Sequence, residues 1–324
     1  MQVLRDPEID PAPLAGKRVA IIGYGNQGRA QALNLNDSGI DVVVGLRGGS
    51  GSTREAEASG LTTALLKDAV ASADIVMLLA PDEIHAALYA EIEPNIRNGA
   101  ALGFSHGLSV RFGFIEPRGD LDVFLLAPKG PGTALRSLYT EGKGMVALWA
   151  VHRDSTGQAR DLCLAYGRAL GCARAGLIAS SFAEEAEADL FNEQAVVWGG
   201  VPALLQAGFE TLVEAGISPE VAYMECVGEL SLIAALIEER GIAGMREAIS
   251  NTAELGAVLG GPKIVDKAVK ARMAKILAEV RAGKFAEALR REENAGYPLL
   301  DKARAEARAS DLEAARRRLG GEDV

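Results

Sequence analysis

The 324-residue chain holds only three cysteines, Cys163, Cys172 and Cys226, and only three histidines. The cysteine spacing suits neither a disulfide framework nor a thiolate metal site, so free thiols in a reducing cytoplasm are expected. No run approaches about 18 uninterrupted apolar residues, and no membrane span is expected. The acidic, proline-bearing start, Met1 to Gly16, lacks the apolar core of a signal segment. Basic excess is missing too. With a formal net charge of −10, the chain offers no cationic stripe to a nucleic-acid backbone. Internal repeats and low-complexity tracts are absent. What remains is a chain of two-domain length in which 48 % of residues are apolar, enough for a substantial core.

The first half alternates short β-branched runs with helical patterns. Lys17 to Ile22 leads into Gly23-Tyr24-Gly25-Asn26-Gln27-Gly28, and a helical pattern follows through Leu35. Strand, GxGxxG and helix in that order give a weak motif its meaning. The glycines allow a tight turn and bring backbone N–H groups to a pyrophosphate at the helix N-terminus. The next strand, Asp41 to Leu46, ends at Arg47, nineteen residues past Gly28. An acid there would hold the ribose hydroxyls of NAD. This loop instead carries Arg47, Ser50, Ser52 and Arg54 before its first acid, Glu55, which is chemistry for the 2′-phosphate of NADPH.

Further strands are expected at Asp74–Leu79, Ala100–Phe104, Val123–Leu126 and Met145–Ala150, with helices at Asp82–Ile92 and Asp154–Leu170. The alternation specifies an α/β fold, a Rossmann-type doubly wound parallel sheet over residues 1–181. Ligands of such sheets lie beyond the carboxyl ends of the strands. Two of those ends stand out: Ser105-His106-Gly107, and Ala127-Pro128-Lys129-Gly130-Pro131-Gly132. His106 could equally be a structural hydrogen-bonder and Lys129 a surface lysine; His85 and His152 read as ordinary.

From Phe182 the pattern becomes all helical, giving a second domain over 182–324, and its Arg-, Glu- and Ala-rich end from Asp301 reads as an exposed helix or frayed tail. Asp189 and Glu193 fall one helical turn apart beside apolar residues. Glu225 and Glu229 repeat that spacing in a strongly apolar stretch. Such pairs are costly to bury without a cation. With no neighbouring histidine and no convincing thiolate ligand, Mg²⁺ fits better than zinc or a di-iron pair. Glu184, Glu185 and Glu187 read as a solvated acidic face. A hydride donor beside two Mg²⁺ ions suits a small hydroxy- or keto-acid substrate.

The motifs IIGYGNQG, VGLRGGSGS, APKGPG, EADLFNEQAV and SNTAELG, spread between about Leu14 and Tyr297, make the chain resemble ketol-acid reductoisomerase of the short bacterial type. The resemblance implies Mg²⁺-dependent alkyl migration and NADPH reduction of 2-acetolactate or 2-aceto-2-hydroxybutyrate to the 2,3-dihydroxy acid, in branched-chain amino acid biosynthesis. It implies that Asp189, Glu193, Glu225 and Glu229 bind the metal, and that His106, Lys129 and Glu229 are catalytic. Cofactor contacts fall to Gly23 through Gly28, Arg47, Ser50, Ser52 and Gly132, and substrate contacts to Pro131, Trp198, Ile249, Ser250 and Ala253. It further implies a knotted helical domain and a homodimer in which Glu225, Glu229 and Ser250 complete the partner's site. Leu108, Thr133, Asn192, Trp198, Gly228 and Ser231 depart from the family pattern, so two alternatives stay open. One is a specialised homologue acting on a different small keto acid; the other is a non-catalytic NADPH-binding protein.

Overall fold

The apolar runs of the first half do form strands, and both faces of those strands are covered. The computed structural model describes residues 3–320; Met1, Gln2 and the last four residues of the Arg-rich end lie outside the described residues. The described strands are β1 (Val3–Leu4), β2 (Arg18–Ile22), β3 (Asp41–Leu46), β4 (Thr62–Leu65), β5 (Ile75–Leu78), β6 (Ala101–Phe104), β7 (Asp122–Pro128), β8 (Ala147–Arg153) and β9 (Leu177–Ala179). They make one sheet in the order β1-β9-β8-β7-β6-β5-β2-β3-β4. Val19, Ile21, Val44, Ile75 and Met77 feed one buried layer, while Ala20, Ile22, Val43, Val76 and Leu78 feed the other. That alternation explains why the strands read as continuous apolar runs rather than as one-sided patterns.

The helices interleaved with them are α1 (Asn26–Asp37), α2 (Ser52–Ala58), α3 (Leu66–Ser72), α4 (His85–Ile92), α5 (Leu108–Arg111), α6 (Gly132–Thr140) and α7 (Ala159–Ala169). The chain divides into two compact units, Met1–Ala188 and Asp189–Val324, and α8 (Phe182–Ala195) runs across that division.

Two details differ from the expected parallel sheet. The strand expected at Met145–Ala150 runs antiparallel to β7, with Leu126 opposite Trp149, so the sheet is mixed. The apolar content of β8 is the same in either direction, which is why sequence could not orient it. The short strands β1, β4 and β9 also escaped the reading, since two to four residues carry too little pattern.

The second unit is helical throughout its described residues. It contains α9 (Gly200–Glu214), α10 (Pro219–Tyr223), a π-turn at Met224–Gly228, α11 (Leu230–Ala248), α12 (Asn251–Ile264), α13 (Lys267–Arg281), α14 (Lys284–Asn294), α15 (Pro298–Ala309) and α16 (Asp311–Gly320). Its small core joins Phe209, Ala222 and Ala315, with Leu212, Tyr223 and Leu312 packed against them. The C-terminal stretch is therefore no frayed tail up to Gly320. Buried Ala315 ties α16 to α10, and Arg318 donates to Glu220 Oε1 at 2.6 Å.

Candidate active site

The turn after β2 is built by close approach. A Cβ on Gly28 would lie 2.1 Å from the Gly23 carbonyl oxygen, and one on Gly132 would lie 2.0 Å from that of Asn26. Gly23 has φ +102, outside the range an L side chain accepts easily. These glycines let the α1 and α6 N-termini come together, and the Asn26 side chain accepts from Thr133 N at 2.9 Å.

Two cavities of about 500 Å³ each share Tyr24, Gly25 and Asn26 in their walls. One continues past Gln27 to Arg47, Ser50 and Ser52; the other reaches Gly132 and Thr133. The Tyr24 hydroxyl is buried with no hydrogen-bond partner among the described residues. A turn that only glycine fits, opening on a cavity that runs to a guanidinium and two hydroxyls, suits an adenine dinucleotide.

At the ends of β6 and β7 the structure gathers three titratable groups. Glu185 on α8 is 1 % exposed. Its Oε2 lies 3.0 Å from His106 Nδ1 and accepts from Gly107 N at 2.7 Å, while its Oε1 accepts from Lys129 Nζ at 2.7 Å. The carboxylate can only accept, so the shared His106 proton sits on Nδ1. Burial would push the Glu185 carboxyl up. The hydrogen bond and charge of His106, with the charge and hydrogen bond of Lys129, outweigh it and bring the group down to about 2.

The local sequence explains the geometry. Gly107 is required because a Cβ there would lie 2.3 Å from the Phe182 carbonyl oxygen, where α8 begins. Phe182 packs edge-on to Phe104 and to His152, and Arg111 donates twice to Glu187 Oε1, at 2.9 and 3.0 Å.

Reading Glu185 and Glu187 as a solvated face was wrong. Glu185 is the centre of the constellation and Glu187 is an ion-pair partner; only Glu184, bonded to Ser180 Oγ, stays on the exposed side. The available signal was the spacing 185, 189, 193, which extends the pair already noticed by one more turn. His85 is ordinary, as expected: it is buried between Ser109 Oγ and the Ala80 carbonyl, both at 2.8 Å, and burial lowers its pKa.

Most of the remaining expected residues lie in the second unit. Asp189 and Glu193 are partly buried on α8, and Glu225 and Glu229 are exposed at the π-turn. Among the described residues, neither Glu225 nor Glu229 belongs to a group of three or more His, Cys, Asp or Glu close enough to hold a metal. Ile249 is extended, Ser250 caps α12 by accepting from Ala253 N at 3.2 Å, and Trp198 is 66 % exposed. Pro131 is exposed beside buried Gly132. Of the departures, Leu108 is buried at the start of α5, whereas Thr133, Gly228 and Ser231 are exposed and Asn192 is partly so.

Comparison with known proteins decides the family. Residues 13–176 match the acetohydroxy acid isomeroreductase NADPH-binding domain, and residues 182–321 match the ketol-acid reductoisomerase C-terminal domain. The chain belongs to the ketol-acid reductoisomerase family. It is similar to an NADH-preferring ketol-acid reductoisomerase from an uncultured archean, with 40 % identity, 99 % of each chain covered and a TM-score of 0.96. A semialdehyde dehydrogenase NAD-binding protein from Cupriavidus necator, 20 % identical over 82 % of this chain and 99 % of that one, has a TM-score of 0.61 and shares the fold. Ketol-acid reductoisomerases are NAD(P)-dependent oxidoreductase-isomerases of branched-chain amino acid biosynthesis that act on small keto acids, and this chain is one of them.

Proposed function

We propose that the chain converts 2-acetolactate, or 2-aceto-2-hydroxybutyrate, to the 2,3-dihydroxy acid with NADPH and Mg²⁺. The observation that carries this reading is Lys129, Glu185 and His106 locked together at the ends of β6 and β7. Glu185 holds Lys129 in one orientation, so its ammonium is preorganised for an oxyanion developing on the substrate. His106, held through Nδ1, is placed to hold or move a proton at Nε2. The Gly23–Gly28 turn would take the pyrophosphate, with Gly132 and Pro131 flanking the reactive end of the cofactor.

NADPH is favoured over NADH by Arg47, Ser50 and Ser52 in the wall of the nucleotide cavity. The archaeal relative prefers NADH, so the comparison of kcat/KM for the two cofactors tests this choice. Asp189, Glu193, Glu225 and Glu229 form an all-oxygen donor set that suits Mg²⁺. Bound there, the ion would polarise substrate oxygens. Ser250 would donate its hydroxyl to the substrate carboxylate while its oxygen caps α12, with Ile249 and Ala253 beside it.

The exposed apolar side chains of the second unit, among them Leu232, Leu255, Leu259 and Ile264, support a homodimer in a knotted helical domain. The stretch Phe182–Glu214 is also apolar enough by length and composition to cross a membrane; coverage by a second copy is our reading, in a cytoplasmic enzyme with domains at 1–181 and 182–324. The departure from the family pattern at Trp198 supports a second reading, a homologue with a different alkyl preference. NADPH oxidation followed with 2-acetolactate, with and without Mg²⁺, tests the proposal. Turnover that needs the metal is expected; none at high enzyme concentration would refute it.

A further inference from the structure

A set of side-chain hydrogen bonds centred on Gln31 ties the nucleotide helix to both loops that carry His106 and Lys129. Gln31, in the middle of α1, is fully buried. Its Nε2 donates to Ser105 Oγ at 2.8 Å and to Gln27 Oε1 at 3.2 Å, and its Oε1 accepts from Tyr166 OH at 2.7 Å. Ser105 Oγ passes its own proton to the Leu126 carbonyl at 2.9 Å, and Gln27 Nε2 donates to the Gly130 carbonyl at 2.9 Å.

Every polar atom of the Gln31 amide is thereby used, and the direction of each bond is fixed. The carbonyls of Leu126 and Gly130 can only accept, so Ser105 and Gln27 must donate to them, which obliges Gln31 to donate to both. Tyr166 is fully buried and ringed by core residues including Phe124, and burial keeps its phenol protonated. A satisfied buried network of this kind specifies one arrangement and resists alternatives.

We infer that Gln31 is a positioning residue for the reaction, holding the His106 and Lys129 loops in register with the helix that binds the cofactor. The two contacts fall on the residues adjoining those groups: Ser105 precedes His106, and Gly130 follows Lys129. Gln27 also lines the nucleotide cavity, so one amide joins the cofactor turn to both loops. This inference rests on the reading of His106 and Lys129 as catalytic groups.

The test uses the full chain with NADPH bound. Gln31→Met keeps length and volume and removes the polar head; Tyr166→Phe removes a single hydroxyl and is the milder case. Both kcat and KM are measured, together with thermal unfolding and hydrogen exchange of the amides of residues 105–107, 129, 130 and 132. In Gln31→Met, kcat is expected to fall about 10- to 100-fold, the scale of a misplacement near 1 Å, with NADPH affinity within about threefold. Exchange at those amides should accelerate beyond that of the rest of the sheet, with Tyr166→Phe shifting in the same direction to a smaller extent. Unchanged kcat and exchange in both variants would overturn the inference, as would acceleration spread evenly over the sheet in step with lower thermal stability. If the parent chain turns over no ketol acid, the functional reading fails while the exchange pattern still decides the role of Gln31.

Discussion

The two units treat their acidic residues in opposite ways. In the first, Glu185 is 1 % exposed and satisfied by His106, Gly107 and Lys129. In the second, Glu225 and Glu229 are exposed, on a π-turn, and join no metal-sized group among the described residues. An acid that orients its neighbours can be finished inside one chain. On the proposed reading, Glu225 and Glu229 would hold a cation only with companions from a second copy, which would also cover the exposed apolar side chains of their unit.

The largest effect expected is from Lys129→Ala, which should lower kcat about 10³-fold, the upper end for removing one preorganised donor to an oxyanion. Steady-state turnover with 2-acetolactate measures it, and a loss under tenfold would take Lys129 out of the chemistry. Glu185→Gln should lower kcat about 10²-fold and also stability by about 3 kcal/mol, because it breaks a buried charge cluster. Glu225→Gln should lower Mg²⁺ affinity while leaving unfolding within about 0.5 kcal/mol of the parent. Equal destabilisation by the two variants would erase the contrast between the units.

The pH dependence has a definite sign. The Glu185 carboxyl is held at about 2 against an ordinary 4.5, so its contribution is complete above about pH 4.5 and is lost as pH falls toward 2. The stability gap between the parent and Glu185→Gln should close over that window. Next in size is the pair Ser50→Asp and Ser52→Asp, expected to raise the KM for NADPH at least about tenfold by charge repulsion, with NADH little affected. An unchanged preference would remove the loop from cofactor choice. The smallest effect is expected from Trp198→Cys, under about threefold with 2-acetolactate, since a side chain 66 % exposed is no wall of a closed pocket. A change of 10- to 200-fold, the scale of a methylene in such a pocket, would instead make Trp198 a specificity residue.

Much of this was legible in the chain itself. KRVAII followed by GYGNQG announces a strand, a glycine turn and a helix, because each of those steps is local. His106 and Lys129 were visible as polar residues just past strand ends. Glu185 was legible only through its one-turn spacing from Asp189, because the partners that bury it lie 79 and 56 residues away. The Gln31 network was hidden for the same reason, with Tyr166 135 residues distant. The direction of β8 depends on where the chain returns after α6, which its apolar content does not encode.

The most direct test of the contrast between the units is subunit complementation. Lys129→Ala, which disables the first unit, and Glu225→Gln, which disables the second, are each assayed alone and then after dissociation and reassembly together. If Glu225 serves the partner's Lys129, half of the reassembled dimers are mixed and each of those regains one intact site, so about a quarter of parental activity should return. Activity that stays at the level of the separate variants, with mixed dimers demonstrably formed, would contradict a site shared between two copies.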